Sequence, residues 1–216
     1  DKMIYPGERM LVLCVSAKGQ HDFFLNRLFN VPETFDFEKI WFFDTDDYIK
    51  MLADYLQGAK KIGVDKIWPA RFLLPLMNHL PQATFVNGSY AIDEIRMIKD
   101  ENEKALMRQA SLINDQSMED MLHALKEGVT ENEMAEQLLS FYAKHGGEGF
   151  SFAPIVGYGA NGADGHHGCD DTPLKKGDSI VIDMGCMYQG YCSDMTRTVF
   201  YQDVSEKQKE VYQLVL

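Results

Sequence analysis

The chain has 216 residues, of which 45% are hydrophobic, and a formal net charge of -12 at pH 7. That length and composition support a buried core in one large or two modest domains. The acidic balance, with no basic stripe to offset it, excludes a polyanion such as nucleic acid as a partner, and no apolar run approaches the ~20 residues needed to cross a bilayer.

No leader with a basic start and an apolar middle opens the chain, which reads as cytoplasmic. Its first residue is Asp1 rather than Met, so the natural start is expected to lie upstream. Cys14, Cys169, Cys186 and Cys192 show no paired C-x-x-C spacing and are expected to be core thiols rather than disulfides or zinc ligands.

The first ninety or so residues alternate strand-like and helix-like stretches. Met10 to Val15 and Ile40 to Phe43 read as strands, and Thr45 to Leu56 as a helix with Asp46 and Asp47 in its first turn. Strands at Lys61 to Val64 and Thr84 to Val86 bracket a helix from Ala70 to Leu80 that follows Pro69. This pattern predicts an α/β domain over residues 1–92, and no Gly-rich turn of the dinucleotide type follows any of its strands.

From about Asp93 long helices take over. Asp100 and Glu103 make a capping pattern, Leu106, Ala110, Ile113, Ser117 and Met121 follow near helical spacing, and Gly128 stands where a C-terminal glycine is expected. Thr130 and Glu133 repeat the cap, Met134, Leu138, Phe141 and Tyr142 supply an apolar face, and Gly146-Gly147 ends the second helix. Ser205 with Gln208 caps a last helix with Val211, Leu214 and Val215 at helical spacing. Because the chain stops inside it, sequence is expected beyond Leu216.

The segment from Ser179 to Phe200 is rich in β-branched and aromatic residues, with Gly185 and Gly190 near its middle, and reads as a hairpin. A turn centred on Tyr188-Gln189 makes Asp183 and Asp194 direct cross-strand partners, with Cβ atoms ~4.5–5.5 Å apart on one face. Two like charges there are unfavourable unless a cation neutralises them, and paired divalent ions ~3.5–4 Å apart suit such bridging carboxylates. A register change of one residue would instead place the two aspartates on opposite faces, as solvated or turn-forming residues.

The string Ile182-Asp183-Met184-Gly185, followed by Gly190-Tyr191-Cys192-Ser193-Asp194-Met195-Thr196-Arg197-Thr198, resembles the first metal-ligand signature of the pita-bread metallopeptidases. In that family both aspartates bind metal, which makes Asp183 and Asp194 the expected ligands. Upstream, Ser151 to Val156 leading into Asn161-Gly-Ala-Asp-Gly-His-His167 resembles the segment whose histidine contacts the substrate and the developing tetrahedral species. The matching residue is His166, a neutral imidazole able to donate to one atom while accepting from another. Most prolidase-like relatives have proline before that histidine, where Gly165 stands here; His167 has no clear family role. A salt bridge and a packed ring account for Arg197 and Tyr191.

The resemblance extends over the helices and, more loosely, over the first ninety residues, which look like the amino-terminal domain of prolidases, aminopeptidase P and creatinase. It implies an α/β creatinase-like domain at 1–92 followed by the first half of an α+β pita-bread domain at 93–216. It implies cleavage of the Xaa-Pro bond of proline-containing peptides by a homodimer with two divalent ions, manganese first and cobalt or zinc next. The remaining ligands, a histidine and two glutamates, would lie past the hairpin, so this chain alone is expected to be inactive. Two rivals are a creatinase-like amidinohydrolase, against which the aspartate pair argues, and a non-catalytic protein-binding module of the same fold.

Overall fold

The computed structural model describes residues 8–31 and 38–216, which divide into two compact units, Asp1–Ile98 and Lys99–Leu216.

In the first unit β1 (Leu11–Val15) pairs antiparallel with β2 (His21–Asn26), which pairs parallel with β3 (Glu38–Phe42). Then follow α1 (Tyr48–Tyr55), β4 (Lys61–Val64), α2 (Ala70–His79), β5 (Thr84–Asn87) and α3 (Ser89–Met97), with β4 and β5 parallel. The α/β expectation holds. The first helix starts later than its Thr45 reading because Asp47, whose side chain accepts from the Lys50 amide, is the residue that caps it. Phe24, Phe42, Leu52, Phe72 and Leu76 form the centre of this unit's core.

The second unit opens with α4 (Glu101–Ala124) and α5 (Glu131–His145), both started by the expected capping boxes. The Asp100 side chain accepts from the Glu103 amide at 2.8 Å while Glu103 accepts from the Asp100 amide at 2.7 Å, and Thr130 and Glu133 do the same at 3.1 and 3.0 Å. Gly146 ends α5 in the left-handed region, at φ 88°. Gly128 is not the C-cap of α4, which ends at Leu125; its amide instead donates to the Leu174 carbonyl in the turn between the helices. Ala110, Ile113, Ser117 and Met121 of α4, and Met134, Leu138 and Tyr142 of α5, are the buried face.

The remaining elements are β6 (Gly149–Phe150), β7 (Ile155–Tyr158), a 3-10 turn (Gly159–Ala163), β8 (Ser179–Met184), β9 (Cys186–Tyr188), β10 (Tyr191–Cys192), β11 (Met195–Phe200) and α6 (Glu206–Val215). They build two three-stranded sheets, ordered β11-β8-β7 and β10-β9-β6. Along β8 the side chains alternate: Ile180, Ile182 and Met184 are fully buried in the core with α4 and α5, which turns Asp183 to the opposite face. On α6, Val211, Leu214 and Val215 are exposed.

The hairpin register differs from the expected one. Its two-residue turn is Gln189-Gly190, both with positive φ (47° and 79°), so Tyr188 faces Tyr191 and Asp183 faces Thr196. Asp183 and Asp194 are therefore not direct partners. Asp194 precedes Thr196 by two residues, and a two-residue displacement preserves the face where a one-residue slip would reverse it.

Candidate functional site

Between β8 and β9 the ladder breaks at Gly185, and between β10 and β11 at Ser193 and Asp194. The break is braced from both sides. The Ser193 amide donates to the Cys186 carbonyl at 2.9 Å and the Cys186 amide to Ser193 Oγ at 3.0 Å. From the neighbouring loop the Ser151 amide donates to the Gly185 carbonyl at 2.9 Å, and Ser151 Oγ to the Ser193 carbonyl at 3.0 Å. From behind, buried Asn114 of α4 donates to the Met184 carbonyl at 3.1 Å and accepts from the Tyr142 hydroxyl at 2.7 Å. Asp183 on β8 and Asp194 in the break before β11 are thus held at a relative position set by hydrogen bonds rather than by side-chain packing alone.

Both carboxylates line one cavity of about 890 Å³, together with His166. Leu139, Phe150, Phe152, Pro154 and Ile155 give this cavity an apolar wall. Asp183 is half-buried and accepts from Thr196 Oγ1 at 2.8 Å, whereas Asp194 is exposed. Among the described residues neither forms an ion pair. Two acidic groups on one side of a cavity, without a cationic side chain between them, make a set of hard oxygen donors suited to a divalent ion. His166 is exposed, its amide donating to Asp164 Oδ1 at 2.9 Å.

Arg197 makes no ion pair among the described residues; it donates to the Thr196 carbonyl at 2.8 Å. Tyr191 is partly buried and donates its hydroxyl to Glu103 Oε1 at 2.8 Å, tying the hairpin to the first turn of α4.

Sequence reasoning overlooked the Glu131 carboxylate and gave His167 no part. His167 Nε2 lies 2.6 Å from Glu131 Oε2, and Glu131, His167 and Asp170 have ligand-type atoms within 4.8 Å of one another. This cluster is not a metal centre in this arrangement, because both Glu131 oxygens are already taken up by four protein donors. Asp170 is held below the usual carboxylate range by the Thr172 hydroxyl and then by the Thr172 amide. No spacing rule would have joined Glu131 to His167, which lies 36 residues on.

The cysteines are free thiols of unequal accessibility. Burial pushes the Cys186 thiol up to about 11 and Cys14 up to about 12, and it raises Cys169 as well. Because the thiolate is the nucleophile, iodoacetamide at pH 7.5 is expected to alkylate exposed Cys192 first and leave Cys186 unmodified until the protein unfolds. Peptide mass spectrometry of a time course checks this, and equal rates at the two sites would contradict the burial of Cys186.

Residues 5–98 match the Creatinase/Prolidase N-terminal domain and residues 105–216 match Metallopeptidase family M24. The chain is 37% identical over 134 residues to a protein described as putative dipeptidase YkvY of Bacillus subtilis, covering 62% of this chain and 37% of that one. It is 32% identical over 161 residues to an Xaa-Pro dipeptidase of Pyrococcus horikoshii, covering 74% and 46%. The crystal structure of recombinant prolidase from Thermococcus sibiricus superposes with a TM-score of 0.89 at 29% identity, covering all of this chain and 60% of that one. The chain therefore spans less than two thirds of the length of these relatives. Among the described residues no helix is long and apolar enough to cross a membrane. The α/β first unit and the α+β second unit are the amino-terminal domain and the first part of a pita-bread domain, and the chain belongs to Metallopeptidase family M24.

Proposed function

We propose that the complete protein, extended beyond Leu216, is a metal-dependent peptidase that hydrolyses the Xaa-Pro bond, as a dipeptidase or as an aminopeptidase releasing the residue before proline. The observation that carries this reading is the meeting of Asp183, Asp194 and His166 in one cavity. Its relatives, an Xaa-Pro dipeptidase and a prolidase, supply the substrate class.

In this reading Asp183 and Asp194 hold divalent ions, with Thr196 fixing the Asp183 carboxylate through its hydroxyl. Such ions, when bound, supply a lowered pKa for water and polarisation of the scissile carbonyl. His166 donates a hydrogen bond to the oxygen on which negative charge develops. The apolar wall of Phe152, Pro154 and Ile155 receives the non-polar part of the peptide and excludes bulk water. Manganese is the first choice of ion, since an all-carboxylate start to the site favours oxygen-preferring metals, with cobalt or zinc next. A cytoplasmic location and a homodimer belong to the same reading; the four free thiols fit a reducing compartment.

The test is hydrolysis of an Xaa-Pro dipeptide and of a longer Xaa-Pro peptide by the complete protein, with and without manganese, cobalt or zinc. Cleavage that depends on added metal is expected, and the preferred length separates dipeptidase from aminopeptidase. Full activity in a chelator-treated, metal-free preparation would refute the reading. The 216-residue chain alone is expected to be inactive.

A further inference from the structure

Glu131 is the first residue of α5, and its side chain is fully buried. A buried carboxylate is tolerated only when its lone pairs are matched. Oε1 accepts from the Tyr158 amide at 2.8 Å and from Asn161 Nδ2 at 3.0 Å, and Oε2 accepts from His167 Nε2 at 2.6 Å and from the Asp170 amide at 3.1 Å. Four donors meet a group with about four lone-pair positions, and the α5 N-terminus adds its positive dipole end. Backbone bonds run in parallel, from the Glu131 amide to the Thr172 carbonyl and from the Asn132 amide to the Asp170 carbonyl.

The whole span from Tyr158 to Thr172 is thus gathered around one carboxylate, and His166 sits inside it, one residue before the tethered His167. Apart from its own amide bond to Asp164, nothing described ties His166 to the rest of the unit. We propose that Glu131 is a positioning residue: by holding the His167 ring with its proton on Nε2, it fixes the backbone that places His166 at the cavity shared with Asp183 and Asp194. The consequence for catalysis rests on the peptidase reading above; the anchoring itself does not.

Glu131→Gln tests this, because it keeps the shape but puts an NH2 group on one side of the carboxamide. Facing Oε2 that group meets His167, which relieves the conflict by moving its proton to Nδ1, and facing Oε1 it meets Asn161, which relieves it by turning its carboxamide to present Oδ1. In the complete protein with 15N-labelled histidine, the His167 ring nitrogens are expected to report the Nε2–H tautomer, and in Glu131→Gln a shift toward Nδ1–H to the extent that the NH2 group faces His167. The kcat for an Xaa-Pro dipeptide is expected to fall on the order of 10–100-fold with metal content and KM unchanged. The same substitution in a His166→Ala background is expected to lower kcat no further, as for two residues acting through one step. His167→Gln, which can still donate to Glu131 from the Nε2 position, is expected to retain kcat where His167→Leu loses it, so the idea stays open to test even where Glu131 variants fold poorly.

A His167 ring without its proton on Nε2 in the unsubstituted protein, a switched tautomer with unchanged kcat in Glu131→Gln, or equal kcat in His167→Gln and His167→Leu would overturn the proposal. Loss of a metal equivalent in Glu131→Gln would also overturn it, by making Glu131 a ligand. If the complete protein hydrolyses no Xaa-Pro bond with any of the metals, the peptidase reading fails, while the tautomer measurement still decides the anchor.

Discussion

Replacing Asp183 with Asn in the complete protein is expected to remove at least one bound metal equivalent and to lower kcat/KM on the order of 10³-fold or more, about 4 kcal/mol of transition-state stabilisation. The carboxamide keeps the size of the side chain and can still accept from Thr196 Oγ1, so the hairpin loses little. What disappears is the negative charge on the cavity face. The sign of the stability change distinguishes a metal site from a structural role. Without metal, Asp183 and Asp194 place like charges on one side of the cavity, and neutralising one leaves the protein as stable as before or slightly more so. With metal, ligation stabilises the native state by an amount that grows with ion concentration, and the variant forfeits that increment. Thermal melting with and without manganese therefore gives a clear result. An unchanged manganese-induced rise in Tm in Asp183→Asn would show that this carboxylate does not bind the ion, and Asp194→Asn is expected to behave in the same way.

The aspartate pair was legible in the sequence although its register was not. Gln189 occupies a positive-φ turn position more commonly taken by Asn or Gly, so composition centred the turn one residue too early. The error moved the pairing by two positions and preserved the face, so the conclusion about a shared face survived a wrong contact. Capping boxes at Asp100, Thr130 and Ser205 were readable because each is local, a side chain bonding a backbone three residues away.

Elements whose signal is tertiary were missed. β2 lies between two strands and buries Phe23, Phe24, Leu25 and Asn26 in succession, so it shows no alternation to read. α3 leaves Tyr90, Ile92, Ile95 and Met97 exposed, so its apolar residues mark no buried stripe. Glu131 was passed over for a related reason. In the sequence it is one more acidic residue in a helix first turn, and only folding brings it to Tyr158, Asn161, His167 and Asp170.

Gly185→Ala is expected to be the most disruptive small substitution in the second unit. An added Cβ would stand 2.1 Å from Ser151 Oγ, 2.3 Å from the Ser193 carbonyl oxygen and 2.6 Å from Phe152 Cε1. Ser151 could turn its hydroxyl away, but it would then release the Ser193 carbonyl it now donates to. Ser193 cannot retreat alone, because its amide and hydroxyl are both bonded to Cys186. Nor can β8 withdraw, since Asn114 holds the Met184 carbonyl from the buried side. The methyl group must therefore push apart the two arms of the hairpin that carry Asp183 and Asp194. Overpacking of about 1–3 kcal/mol, with one or two hydrogen bonds lost at about 1 kcal/mol each, amounts to roughly 3 kcal/mol and a fall in Tm on the order of 10 °C. Gly168→Ala is the control, as its added Cβ meets nothing within 4 Å and its backbone is unstrained. In the complete protein the Gly185 variant is further expected to bind manganese more weakly even at temperatures where it remains folded, because strain at this point changes the spacing of the two carboxylates. A Gly185→Ala protein that melts and binds manganese like its Gly168→Ala counterpart would mean that the brace between the strands yields freely and does not set the geometry of the aspartate pair.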